Sequence, residues 1–225
     1  MSTPIGPVTT RERALRRALP IFGVLVLGLG LWFVLELRRS LPPPVPDVGP
    51  AASVLPVPKP LPAFSLSDDA GQPFGRERLQ GRWSFLFFGY TACPSICPIT
   101  MGTLRDLHRT LASGSPSLDD AQYVFISVDP ARDDSEGLRR YVHHFDPEFI
   151  GAAGEAEQLH RLADAIGVFY RRTPGGSETS YDFDHTASVL LIDPDASLHA
   201  VFSPPIDPEA AAEAFRAIRR ATATR

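Results

Sequence analysis

From residue 61 onward, short apolar runs alternate with segments of helical period, and that alternation restricts the chain to α/β architectures. Residues 84–90, 123–128 and 188–192 are runs of the kind that form buried strands. Between them Met101, Leu104, His108 and Leu111, then Leu138, Tyr141, Val142 and Phe145, then Leu159, Leu162, Ala163 and Ile166 recur every three or four residues. That spacing lines one face of a helix. A last helix opens at Pro208 and carries Ala211, Phe215 and Ile218 on one side. Strands separated by helices of this length need crossover connections, so the residues predict a largely parallel central sheet flanked by helices. Asp129-Pro130 and Asp193-Pro194 read as turns that end strands, and Gly175-Gly176 as a flexible loop before Tyr181.

Upstream of that domain, residues 18–35 carry no charge and run through Ile21, Phe22, Val24, Leu25, Leu29, Trp32 and Phe33. As a helix they would be about 27 Å long, enough to cross the hydrocarbon layer. Glu36, Arg38 and Arg39 follow in place of a small-residue cleavage site, so the expectation is an uncleaved transmembrane anchor over residues 18–37 rather than a removed signal peptide. Arg11, Arg13, Arg16 and Arg17 precede the span, which keeps residues 1–17 as a cytoplasmic arm and places the bulk of the chain outside. The simplest home is a bacterial inner membrane with the soluble domain in the periplasm; the mitochondrial inner membrane is the alternative. Both permit a disulfide. Residues 38–60 hold Pro42, Pro43, Pro44, Pro46, Pro50, Pro56, Pro58 and Pro60 and are expected to be a semi-rigid linker, with the domain proper spanning 61–225. A formal charge of −4 and the lack of a basic cluster with interleaved aromatics exclude a nucleic-acid partner.

Cys93 and Cys97 are the only 2 cysteines. They lie in Phe87-Phe88-Gly89-Tyr90-Thr91-Ala92-Cys93-Pro94-Ser95-Ile96-Cys97-Pro98, where a strand pattern gives way to a helical one. If residues 93–97 are already helical, the spacing puts both thiols on one face. A helix N-terminus favours thiolate, which both disulfide exchange and metal ligation require. Such a pair can close a disulfide or clamp a soft ion: Cu(I), with Zn(II) as competitor. A third donor would complete a metal site. Methionine is scarce, leaving 6 histidines as the supply. His108 falls on an apolar stripe and reads as packing; His143 and His144 are adjacent and diverge; His160 and His199 have no motif around them. His185 differs, because Tyr181-Asp182-Phe183-Asp184-His185-Thr186 leads straight into the third apolar run. That loop faces the cysteines if the strand it enters runs antiparallel. Asp184 could orient the imidazole through its second nitrogen, or simply be solvated. No Gly-x-Ser-x-Gly, Walker loop or His-Glu-x-x-His occurs. Residues 151–154 read as a loop or helix start, and Asp133, Asp134 and Glu136 as a solvated helix N-terminus.

Taken together these residues resemble the Sco/SenC family of membrane-tethered copper proteins. Four blocks carry the resemblance: Gly81-Arg82; Phe88-Gly89-Tyr90-Thr91 leading to Cys93-Pro94 and Cys97-Pro98; Phe125-Ile126-Ser127-Val128-Asp129-Pro130 with Arg132-Asp133; and Asp184-His185-Thr186 before Leu190-Leu191-Ile192-Asp193. The resemblance implies a thioredoxin-like fold and copper, as Cu(I) or Cu(II), bound by Cys93, Cys97 and His185. It implies a metallochaperone that assembles the dinuclear copper centre of cytochrome c oxidase. Its partners would be the copper-binding subunit of the oxidase, a copper donor and a thiol reductant. The alternative is a membrane-tethered thiol-disulfide oxidoreductase in which Cys93 attacks, Cys97 resolves and His185 is not needed. A tethered copper or redox sensor would use the same residues. Thioredoxin-type oxidoreductases carry a cis-proline in the loop facing the cysteines; Asp184-His185-Thr186 has none, which favours metal. Ser95 stands where the family usually has an acidic residue.

Overall fold

The computed structural model describes residues 27–37, 45–113, 121–173 and 181–223. The chain divides into two units, residues 1–44 and 45–225. In the first, residues 27–37 form a helix (α1) whose Leu27, Leu29, Leu31, Trp32 and Phe33 are exposed. Among the described residues no helix is long and apolar enough to cross a membrane. The expected arm, the first half of the expected span, the start of the linker and Gly175-Gly176 lie outside the described residues.

The second unit runs β1 (Ser53–Pro60), β2 (Ser65–Asp68), β3 (Pro73–Gly75), β4 (Trp83–Gly89), α2 (Ile96–Ala112), β5 (Ala121–Ser127), α3 (Ser135–Phe145), β6 (Ile150–Ala153), α4 (Ala156–Ile166), β7 (Tyr170–Arg172), β8 (Phe183–His185), β9 (Val189–Ile192), β10 (Ser197–Phe202) and α5 (Pro208–Ala223). The three strands and four helices expected from periodicity are all present. One sheet has the order β1-β10-β9-β4-β5-β6-β2-β3, and β7 pairs with β8 apart from it.

Only β4–β5 and β5–β6 are parallel; β9, β10 and β1 on one side and β2 and β3 on the other are antiparallel. The largely parallel sheet expected from the alternation is therefore a mixed one. A crossover helix joins β4 to β5 and β5 to β6, whereas the short turn between β9 and β10 leaves room only for a hairpin.

β4 is buried along its whole length, as a central strand covered on both faces must be. Phe85 stacks on Tyr123 across the β4–β5 ladder and packs against Phe215 of α5. Trp83 meets Phe215 edge-on. Each such fully buried aromatic contributes about 1.5–3 kcal/mol through the area it removes from water.

Residues 53–60, which fall in the expected linker, instead form an edge strand on β10. The register breaks between Val54 and Lys59, the stretch that holds Pro56 and Pro58. Proline cannot donate to a ladder, and an edge strand with an irregularity is where a sheet tolerates it. Of residues 151–154, read as a loop or helix start, the first three belong to β6: a Cβ on Gly151 would run into the Leu138 side chain of α3, so the glycine serves close helix-to-strand packing.

Candidate metal and thiol site

β4 ends at Gly89, and the chain turns through Thr91 and Ala92 with the Cys93 N–H donating to the Tyr90 carbonyl at 3.2 Å. α2 begins at Ile96, so Cys97 lies in its first turn while Cys93 precedes the helix. The two thiols are brought together by a turn followed by a helix rather than by one continuous helical face.

Ser95 occupies the N-cap position but makes no side-chain cap bond. The Cys93 sulfur takes that place. Burial pushes its pKa up, but the backbone N–H groups of Ser95 and Cys97, the Cys97 thiol and the Ile96 N–H together outweigh that and hold it below the ordinary thiol value. Cys97 behaves oppositely: burial pushes it well above the ordinary range, partly opposed by a backbone hydrogen bond at Tyr90 and reinforced by Cys93. Both thiols are free. Gly89 admits Cys97 to the sheet, since a Cβ there would sit 2.7 Å from Cys97 Sγ and 2.8 Å from the Phe125 ring.

β9 is antiparallel to β4, so the segment leading into β9 meets the end from which the cysteines leave. His185, the last residue of β8, is placed there, with Nε2 3.4 Å from Cys97 Sγ. Its Nδ1 lies 3.1 Å from the Thr186 carbonyl, which can only accept; the proton therefore resides on Nδ1, and the Nε2 lone pair faces the sulfurs. Burial holds the imidazole pKa below its usual value, opposed by the Thr186 carbonyl and then Asp184. Phe87 and Tyr90 meet the ring edge-on. Asp184 does not orient it: neighbours on a strand point to opposite faces, and this carboxylate pairs with Arg171 at 3.3 Å.

The ligand atoms of Cys93, Cys97 and His185 all lie within 4.8 Å of one another. Two sulfurs and one imidazole nitrogen, with no carboxylate among them, are a soft donor set suited to Cu(I). The other histidines are engaged elsewhere. His108 pairs with Asp146 and Glu148, His143 with Asp69 and His199 with Asp193, while His160 stacks on Tyr170 and His144 packs against Phe145.

Sequence reasoning missed the groups behind the site. Of the acidic cluster, Asp134 does cap α3 by accepting from the Gly137 N–H at 2.6 Å. Asp133 instead turns inward, 3% exposed, and accepts from the Thr91 N–H and hydroxyl and from the Ser127 hydroxyl. The available signal was the doublet itself, since one helix start uses one capping carboxylate. Asp129, read as a turn residue and as part of a block that carries the resemblance but given no role, is likewise buried and holds Arg132 and Tyr181.

The two thiols should differ in reactivity. In the reduced, metal-free chain iodoacetamide is expected to alkylate Cys93 more than about tenfold faster than Cys97 at pH 7, because the thiolate is the nucleophile. The Cys93 rate should rise with pH through a midpoint below that of an ordinary thiol, as a depressed pKa requires. Peptide mapping of a timed alkylation reads both; equal rates would contradict the assignment.

The description of the SCO1/SenC family matches residues 57–220. A Stutzerimonas stutzeri protein named for copper binding is 39% identical over 154 residues, 68% of this chain and 74% of that protein. The mitochondrial SCO2 homologue of Mus musculus is 38% identical over 132 residues, 59% of this chain and 51% of its own length. The chain thus spans about half of that relative. The structure of Arabidopsis thaliana ScoI with copper bound superposes with a TM-score of 0.66 at 30% identity, covering 71% of this chain and 98% of that one. With the α/β fold, the turn that presents Cys93 and Cys97 and the match over residues 57–220, the chain belongs to the SCO1/SenC family.

Proposed function

We propose that this protein is a copper metallochaperone that takes up copper on Cys93, Cys97 and His185 and delivers it to the copper-binding subunit of cytochrome c oxidase for its dinuclear centre. The observation that carries the reading is the convergence of those three donors, from β8 and from either side of the α2 start, in a cluster without carboxylate ligands. The Stutzerimonas relative named for copper binding and the copper-bound Arabidopsis structure support it. Copper is cargo here: it arrives from a donor and leaves by ligand exchange, so the site must bind it and also let it go. Residues 18–37 tether the domain to a bacterial inner membrane with the site on the periplasmic side, where the charge-free run and the preceding arginines would place it.

Because both sulfurs are ligands only as thiolates, loading requires the reduced pair. The test is copper stoichiometry of the full chain in detergent, reduced and with Cys93–Cys97 oxidised. One copper per chain in the reduced form and none in the oxidised form is expected; full occupancy with the disulfide closed would sink the reading.

A second reading rests on the opposed shifts of the two thiols. Cys93, the readier thiolate, can attack a disulfide of the oxidase subunit, forming a mixed disulfide as one client thiolate leaves. Cys97 then attacks the Cys93 sulfur and frees the second client thiolate, so two electrons pass to the client and a Cys93–Cys97 disulfide remains for an external thiol reductant. His185 has no part in that sequence, which is how the two readings separate.

A further inference from the structure

The hairpin that carries His185 is not part of the main sheet: β7 and β8 pair with each other only. No ladder therefore sets its register against β4 and the cysteines; besides the short link through residues 186–188 to β9, side chains of the described residues do so. Those side chains come mainly from the segment that follows β5. Asp129 accepts from the Tyr181 hydroxyl at 2.8 Å and pairs with the Arg132 guanidinium. Arg132 Nη1 donates to the Tyr181 carbonyl at 2.9 Å, and its guanidinium lies 3.8 Å from the centre of the Tyr181 ring and 5.7 Å from that of Tyr90. Two residues before β8 the chain is thus gripped at its carbonyl, its ring and its hydroxyl. At the next residue, the Tyr90 hydroxyl donates to Asp182 at 3.1 Å, joining the hairpin to the turn that leads to Cys93.

The same segment holds the other half of the site. Asp133 accepts from the Thr91 N–H at 3.0 Å and from the Thr91 hydroxyl at 2.5 Å, two residues before Cys93. Asp129, Arg132 and Asp133 lie within five residues, yet their bonds divide between the imidazole side and the thiol side.

We propose that Arg132 and Tyr181 are positioning residues that set the place of His185 opposite the two thiols, while Asp133 independently sets that of Cys93. The inference deepens the copper-site reading and rests on it for its effect on affinity. Arg132 is suited to the task because a planar fork can bond and stack at once, which a lysine cannot do. A loosened hairpin leaves the cysteines intact and costs only the contribution of the third ligand.

The test uses the full chain with Arg132→Lys and Tyr181→Phe, each alone and in a His185→Ala background. Cu(I) affinity is read by competition with bathocuproine disulfonate, and Cys93 by its iodoacetamide rate in the metal-free chain. Each single variant is expected to bind copper about 10–100-fold more weakly, the range found for groups that orient a ligating histidine. The Cys93 rate should stay at the wild-type value. In the His185→Ala background neither variant should weaken copper further, since two changes acting through one side chain are not additive. Affinities equal to wild type, or an equal loss with and without His185, would overturn the proposal. A metal-free readout separates it from the functional reading: NMR cross-peaks between the His185 and Phe87 rings, 5.9 Å apart between centroids, should weaken in both variants. Cross-peaks retained in both would overturn the positioning role whatever the copper data show. Cross-peaks lost while wild-type copper affinity is indifferent to His185→Ala would sustain positioning and end the copper-site reading.

Discussion

The reduced His185→Ala chain is expected to hold copper at least about 100-fold more weakly than the wild type, because even groups that only orient a metal-bound imidazole are worth about 10–100-fold. Nε2 is the single nitrogen in the cluster, and its lone pair faces the sulfurs because Nδ1 is committed to the Thr186 carbonyl. Alanine leaves two thiols that can still bind Cu(I) but cannot complete a three-ligand site. Under Cu(II) the thiolate absorption band should weaken or vanish in the variant. The reaction with a disulfide substrate should survive, since Cys93 keeps the N–H groups that favour its thiolate. Copper titration of wild type and variant decides it: equal affinities would remove His185 from the site and leave the oxidoreductase reading in possession.

Asp133→Ala should be the most damaging single change to the fold around the site, costing about 3 kcal/mol. The carboxylate is buried and accepts three hydrogen bonds, from the Thr91 N–H, the Thr91 hydroxyl and the Ser127 hydroxyl. Stranding a buried donor costs about 1–3 kcal/mol, and although the Thr91 hydroxyl can rotate away, the N–H cannot. Urea unfolding gives the number. Asp133→Asn, which keeps the shape and one acceptor oxygen, should lose less than alanine does; equal losses would mean that the hydrogen bonds are not what Asp133 contributes. Alkylation of Cys93 should also change in the alanine variant, because the turn that leads to it is no longer held at Thr91.

What could be read in the chain, and what could not, follows the range of the forces involved. The apolar runs that became β4, β5 and β9 and the stripes that became α2 to α5 are periodic within one element, so they were visible. The orientation of β9 is not a local property; it depends on which connection is too short to cross the sheet. β1 was hidden because its prolines argue for a linker, and only an unpaired sheet edge makes them acceptable. The site divides in the same way. Cys93 and Cys97 announce themselves by spacing. His185 could be singled out by its place before a strand and by resemblance, whereas its approach to Cys97 required the antiparallel β4–β9 pair. Asp133 was invisible because sequence alone does not say which of two adjacent carboxylates caps the helix and which turns inward to Thr91 and Ser127.

Gly89 gives the site an inside and an outside. Cys97 rests against the backbone of β4 there, with the Phe125 ring behind it, so that flank is closed to any incoming molecule. The open side is the rim where His185 is half-buried and Cys93 8% exposed, against 0% for Cys97. If the protein delivers copper as proposed, the route has a direction: an acceptor would meet His185 and Cys93 first, and Cys97 would be the last grip to open.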